Sequence, residues 1–208
     1  MNVIDIWNNT IESFIVKCGK RLAAYVNLNK LSEKVGANCD NTDGEQFAIM
    51  LCEIIIHNSI LLFLLFIIAN ILNIKLLTLL FISTFIPLRR CFGGFHVTSN
   101  FLCLIISLIV PVLTSILSLH ITIDFIFLIM IYIFAFYTAL KIGVVDSDIK
   151  RLNFELKTKL KREGIITLLV IFTINIYLYL NKNILVSNIM GLAVMMAFIN
   201  LYFGKQLK

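Results

Sequence analysis

Long apolar runs separated by short polar breaks dominate the hydrophobic pattern of this 208-residue chain. After a turn-rich break at residues 36–44, six apolar segments follow one another. They cover residues 47–72, 74–88, 101–119, 121–140, 164–181 and 184–203. A helix needs about 20 apolar residues to cross the hydrocarbon core, with a range of about 17–25. The pattern therefore predicts an all-α polytopic membrane protein with about six transmembrane helices.

Two of the six segments depart from a simple span. Segment 74–88 is short and ends at Pro87, so it is tilted, re-entrant or completed by the residues that follow. Segment 101–119 contains Pro111, and a proline inside a helix removes a backbone donor, which predicts a kink. We therefore expect six spans, or five with one re-entrant segment.

The N-terminal region has a different pattern. Apolar residues recur at three- and four-residue steps through residues 3–26, which predicts an amphipathic helix. Such a helix lies on the membrane surface with Trp7 at headgroup depth, or it packs against its own protein. We divide the chain into an amphipathic N-terminal region, 1–46, predicted to be cytoplasmic, and a single transmembrane domain, 47–208.

Composition and charge agree with a membrane protein. Hydrophobic residues make up 60% of the chain and charged residues only 14%, against about 25% in soluble domains. If both termini are cytoplasmic, all the Lys and Arg except Lys75 and Lys182 lie inside, which is 16 of the 18. Basic flanks of membrane spans are biased to the cytoplasm, so the chain is predicted to have both termini there. This bias explains the net charge of +6 without a nucleic-acid partner.

The polar segment at 89–100, here called the hinge, contains groups that can perform chemistry between the second and third spans. The hinge and the start of the next span contain Arg89, Arg90, Gly93, Gly94, His96 and Cys103. Cysteine attacks carbonyl carbon as the thiolate, and a neighbouring histidine lowers its usual pKa of about 8.5. On one continuous helix, seven residues would separate the two side chains by about 10 Å. The couple therefore needs the backbone to fold back, which two glycines permit, or a histidine from another copy of the chain.

Other polar residues are alternatives for the same chemistry. Cys91 also lies close to His96 in sequence and is the rival nucleophile. Asp146 and Asp148 either orient His96 or cap the helix that follows them. That helix, within the largest cytoplasmic loop at 141–163, is basic and amphipathic; it lies on the inner leaflet or docks an acidic peptide.

Two further pairs of titratable residues have simpler explanations. Glu53 and His57 share one face of the first span and form a proton relay, a pair of ligands or an interfacial hydrogen bond. His120 and Asp124 fit a solvated turn between spans. The five cysteines lack the spacing of a disulfide framework or a zinc site, so we expect neither a metal nor a cofactor.

The order Arg-Arg-x-x-Gly-Gly-x-His, followed by Cys seven residues after the His, resembles the accessory gene regulator B (AgrB) family of bacterial quorum sensing. Length, span number and basic loop are also similar, so the resemblance covers essentially the whole chain. It implies a cysteine endopeptidase of the bacterial cytoplasmic membrane. Its substrate would be an AgrD-type propeptide, whose C-terminal tail it removes while promoting cyclisation to a thiolactone or lactone.

The resemblance also implies roles for single residues. Cys103 would be the nucleophile and His96 the general base. The two arginines and two glycines of the hinge would support the substrate. Arg89 and Arg90 either bind a carboxylate-rich tail or serve only as the basic flank that anchors the span on the cytoplasmic side. One departure is the loop after the fourth span, where family members often have Pro-x-Asp and this chain has Val144-Val145-Asp146.

A non-enzymatic function is the alternative. In a small multipass transporter subunit or membrane scaffold, His96 and Cys103 would only pack. The partners expected from the enzymatic interpretation are the propeptide, the lipid bilayer and a second copy of the chain in a homodimer.

Overall fold

Six α-helices form the described part of the chain. The computed structural model describes residues 43–94, 100–145 and 154–206, and the predicted N-terminal helix at 3–26 lies outside them. In chain order the helices are α1 (Asp43–Ile71), α2 (Lys75–Phe92), α3 (Asn100–His120), α4 (Phe125–Ile142), α5 (Phe154–Leu180) and α6 (Ile184–Gln206). These ranges contain no strand. The predicted all-α class is confirmed.

Four helical segments within the described ranges are long and apolar enough to cross a membrane. They are Leu102–His120, Phe125–Ile142, Phe154–Leu180 and Ile184–Gln206. Their outward faces expose large apolar side chains, such as Ile126 and Leu113, as expected for contact with lipid tails. The predicted polytopic membrane class is therefore also confirmed.

Neither proline ends its helix. The α2 helix continues through Pro87 to Phe92, so the first hinge residues complete this short apolar segment. The α3 helix likewise contains Pro111 in its interior, and the predicted kink there stays a prediction.

Two compact units divide the chain. The first unit comprises residues 1–64 and 98–107, and the second comprises 65–97 and 108–208. The described part of the first unit is residues 43–64, which are most of α1, and residues 100–107, the first two turns of α3. The second unit contains the rest of α1 and α3 with α2, α4, α5 and α6. The predicted division at residue 46 stays a prediction.

Helix α6 is the centre of the second unit. It packs against α2, α4 and α5, and most of its middle turns are buried. Gly191, Ala193 and Ala197 are among its buried residues, and small residues let neighbouring helices approach closely. Phe92 of α2 packs on Phe198 of α6, with ring centres 5.4 Å apart.

Polar side chains connect the helices inside this unit. The Asn175 amide donates a hydrogen bond to the Tyr132 hydroxyl at 2.9 Å. Asn188 of α6 holds the α3–α4 connection, donating to the Ile121 carbonyl at 2.8 Å and accepting from the Ile123 N–H at 3.2 Å. Such bonds satisfy polar groups where a membrane offers no water.

Basic residues gather at one end of the second unit, where α2, α4 and α6 end and α5 begins; we call this the basic end. Eight of the ten Lys and Arg in the described ranges lie there, and Lys75 and Lys182 lie at the opposite end. The eight are Arg89, Arg90, Lys141, Lys157, Lys159, Lys161, Arg162 and Lys205. Helix α5 is 27 residues long, about 40 Å, so its first basic turns can extend beyond a hydrocarbon core of about 30 Å.

Candidate functional site

Cys103 lies in the first turn of α3, at the beginning of a candidate membrane span. Its thiol is free and the residue is half-buried. The first turn of a helix leaves backbone N–H groups without helical partners, and these favour a negative charge nearby.

The hinge arginines lie in the last turn of α2, in the second unit. Arg89 is half-buried, and its guanidinium carbon lies 5.9 Å from the ring centre of Phe85. Arg90 is exposed. Both cations are close to the helix C-terminus, where positive charge is favourable. The two arginines therefore differ in environment: Arg89 packs against Phe85, and Arg90 is in contact with solvent.

Gly93 ends α2 in a conformation that other residues rarely adopt. Its φ is +77° and its ψ is −152°, and its N–H donates to the Arg89 carbonyl at 2.8 Å. The adjacent carbonyl, that of Phe92, accepts a hydrogen bond from the Val145 N–H at 2.9 Å. This hydrogen bond ties the C-terminus of α2 to the connection that follows α4.

Both hinge glycines are closely covered. A β-carbon on Gly93 would lie 2.5 Å from the Val145 carbonyl oxygen, and one on Gly94 would overlap the Asn200 side-chain oxygen. At Gly93, space and backbone conformation both require glycine, whereas a side chain at Gly94 would require the Asn200 side chain to move. The pattern Gly-Gly predicted this conformational freedom, but it gave no indication of Asn200 or Val145 as the neighbours.

Cys91, the rival nucleophile, is buried between α2 and α5. It follows the apolar segment at 74–88 and packs on Gly164. Burial raises the pKa of its thiol, and the Glu163 carboxylate raises it further, outweighing the opposite effects of Arg90 and Thr167. A buried thiol with a raised pKa is a poor nucleophile, so the geometry disfavours Cys91.

Gly164 was missed from sequence, although a single glycine inside a helical pattern can indicate close packing. A β-carbon at Gly164 would lie 2.6 Å from Cζ of Phe92 and 2.9 Å from the Cys91 β-carbon. This glycine lets α5 approach the end of α2, and so positions the hinge.

Gly164→Ala is expected to lower the stability of the folded protein by roughly 1–3 kcal/mol, because the new methyl group has no space beside Phe92. Unfolding in detergent measures the loss. Phe92→Leu removes the ring atom nearest to the methyl group, so the double variant should be more stable than the sum of the two single effects. If the two stability changes were strictly additive, the Phe92 ring would not be what excludes a methyl group at Gly164.

The remaining candidates divide between described and undescribed residues. His96, Asp146 and Asp148 lie outside the described residues, as do the side chains of Glu53 and His57. His120 and Asp124 are exposed at the α3–α4 connection, in agreement with the predicted solvated turn. Among the described residues, no three His, Cys, Asp or Glu lie close enough together to hold a metal ion.

Comparison with known families provides the decisive observation. The sequence model of accessory gene regulator B matches residues 23–201, which include the whole hinge and Cys103. This chain belongs to the AgrB family. No curated protein and no solved structure matches it.

Membership of the AgrB family connects the chain to accessory gene regulation and to processing of AgrD. The family match begins at residue 23 and ends at 201, so it covers all six helices except the last turn of α6. In this AgrB chain, the end of α2 is surrounded by Val145, Gly164 and Asn200. The motif alone does not reveal these contacts.

Proposed function

We propose that this chain is a membrane-embedded cysteine endopeptidase that removes the C-terminal tail of an AgrD-type propeptide and promotes cyclisation of the remainder. The observation that carries the proposal is the free, half-buried Cys103 in the first turn of a candidate span. Family membership supports the substrate class. The burial and raised pKa of Cys91 support the choice of Cys103 as nucleophile.

The chemistry proceeds in two acyl transfers. The Cys103 thiolate attacks the carbonyl carbon of the scissile peptide bond, and the imidazolium of His96 protonates the departing amine. The tail leaves as a free amine, and the N-terminal part remains bound to Cys103 as a thioester. A thiol or hydroxyl of the precursor then loses its proton to the His96 imidazole, attacks this carbonyl, closes the ring and releases the Cys103 thiolate.

His96 reaches Cys103 in one of two ways. The backbone folds back between them at the two hinge glycines, or the histidine comes from the other copy in a homodimer. The left-handed φ of Gly93 supports a sharp change of chain direction after α2. A site at the start of a membrane span also helps to keep water from the thioester, which would otherwise hydrolyse.

Recognition of the tail is assigned to the hinge arginines. Arg89 and Arg90 offer guanidinium groups to the carboxylates of an acidic tail, and such pairs are strong when bidentate. Gly93 and Gly94 let the chain after α2 lie close to Val145 and Asn200. The reaction requires no cofactor, since a thiolate and an imidazole supply all the proton and acyl transfers.

Both termini are proposed to be cytoplasmic. Eight of the ten Lys and Arg in the described ranges lie at the basic end, and basic flanks are biased to the inner side. This orientation places the hinge in the bacterial cytoplasm, where the ribosomally made propeptide is available. The surface of the inner leaflet would present an amphipathic propeptide to the hinge.

Purified protein in liposomes with a synthetic, tail-labelled precursor tests the function. The expected result is release of free tail in molar excess over the enzyme, together with a ring product lighter by the mass of the tail. Empty liposomes are the control. Intact precursor carried across the bilayer without tail release would instead support the alternative transporter, and an inert preparation would support the scaffold.

A further inference from the structure

A cavity of about 290 Å³ opens at the basic end, between the last turns of α4 and α6. Its polar lining consists of Tyr137, Thr138, Lys141, Tyr202, Lys205 and Gln206. None of the described residues that line it is acidic. The described lining therefore combines an apolar wall with ammonium groups and hydrogen-bond donors, and it includes no carboxylate.

The two tyrosines in the cavity each accept a hydrogen bond from a neighbouring side chain. The Tyr137 oxygen accepts a hydrogen bond from the Lys141 ammonium at 2.8 Å. The Tyr202 oxygen accepts one from the Gln206 amide at 2.7 Å. Within the described part of the chain, neither phenol has an acceptor for its own hydrogen. A ligand that only accepts hydrogen bonds would satisfy both.

The ends of two helices would by themselves repel an anion, because their last carbonyls carry partial negative charge. Lysines offset that charge here. The Lys161 ammonium donates to the Leu140 carbonyl at 2.9 Å, in the last turn of α4. Lys141 and Lys205 lie in the last turns of α4 and α6.

The position of the cavity suits a ligand that is half apolar. Tyrosine and lysine are typical of the depth at which lipid headgroups lie. Large apolar side chains are exposed beside it: Leu140 on α4 and Phe203 on α6 have about half of their surface free, at 59% and 52%. Acyl chains could lie along these side chains, whereas free phosphate would not use them.

We propose that this cavity binds the phosphate headgroup of an anionic phospholipid, with the two ammonium groups and two phenol hydrogens as its partners. An anionic phosphate accepts hydrogen bonds through its oxygens and matches a lining of donors. The lipid links α4 to α6 at the end of the second unit that also contains the hinge arginines. The assignment is independent of the peptidase mechanism, since no cavity residue takes part in it.

Native mass spectrometry of the full chain, released from nanodiscs that contain equal amounts of phosphatidylglycerol and phosphatidylcholine, tests the site. The wild type is expected to retain phosphatidylglycerol preferentially. Lys141→Gln with Lys205→Gln should lower that retention at least about tenfold, from the loss of two charges near the membrane surface. Lys75→Gln with Lys182→Gln makes the same charge change at the opposite end and should retain the lipid as the wild type does.

A second variant separates specific binding from general charge. Tyr137→Phe with Tyr202→Phe removes only the phenol oxygens and should lower retention several-fold with no change in net charge. The proposal is overturned if the Lys141/Lys205 variant retains the lipid, or if the Lys75/Lys182 control loses it equally. It is also overturned if phosphatidylcholine is retained equally, or if inorganic phosphate or the precursor peptide displaces the lipid, since each would identify another occupant.

Discussion

Cys103→Ala is expected to abolish removal of the propeptide tail, with a rate at least about 10³-fold below the wild type. Without the Cys103 sulfur no thioester can form, and removal of a nucleophile eliminates most of the rate enhancement. Cys91→Ala should retain cleavage, because Cys91 is buried against Gly164 and its pKa is raised.

Co-expression with a precursor tagged at its C-terminus measures this directly. Loss of the tag-bearing tail is compared between wild type, Cys103→Ala and Cys91→Ala at matched membrane expression. Cleavage that survives in Cys103→Ala would remove Cys103 from the mechanism. If cleavage were lost only in Cys91→Ala, Cys91 would be the nucleophile.

Gly93→Ala is expected to destabilise the protein more than Gly143→Ala, although the two glycines have nearly the same backbone conformation. Their φ values are +77° and +70°, and their ψ values are −152° and −144°. Each substitution therefore meets a comparable conformational cost, about 1–3 kcal/mol. Only at Gly93 does the new methyl group also meet a backbone oxygen, that of Val145.

The difference between the two variants measures the hinge contact. At Gly143 the methyl group meets only the flexible Lys161 side chain, at 3.8 Å. At Gly93 it would displace Val145 and break its hydrogen bond to Phe92, which adds about 1 kcal/mol or more. Thermal unfolding in detergent gives the stabilities, and tail release per folded molecule gives the activity. Equal effects would mean that the Val145 contact contributes nothing.

The six helices were largely predictable from sequence, because the length of an apolar run reflects the thickness of the hydrocarbon core. The ends of two helices were not. The apolar run from 164 and the basic amphipathic helix within 141–163 were predicted as separate elements, whereas α5 joins them in one helix that begins at Phe154. Similarly, α2 continues past Pro87, because the loss of one backbone hydrogen bond does not end the helix. It ends at Phe92, where Gly93 is the C-cap.

The chemistry of the candidate site was predictable in part. The motif of the hinge identifies its arginines, glycines, histidine and cysteine by residue type. It cannot identify the neighbours that fix the hinge, because Val145, Gly164 and Asn200 come from other helices and connections, far along the chain. Burial of Cys91 depends on the same packing, so a sequence alone leaves the two cysteines as rivals. His96 lies outside the described residues, and its role stays a prediction.

Mass spectrometry of the covalent intermediate tests the central claim most directly. The full chain is mixed with a precursor whose ring-forming thiol or hydroxyl has been replaced, so that ring closure cannot discharge the enzyme. The thioester mechanism predicts an adduct equal in mass to the precursor minus its free tail, located on the peptide that contains Cys103 and removed by hydroxylamine. Tail release without such an adduct, or an adduct located on Cys91, would contradict it.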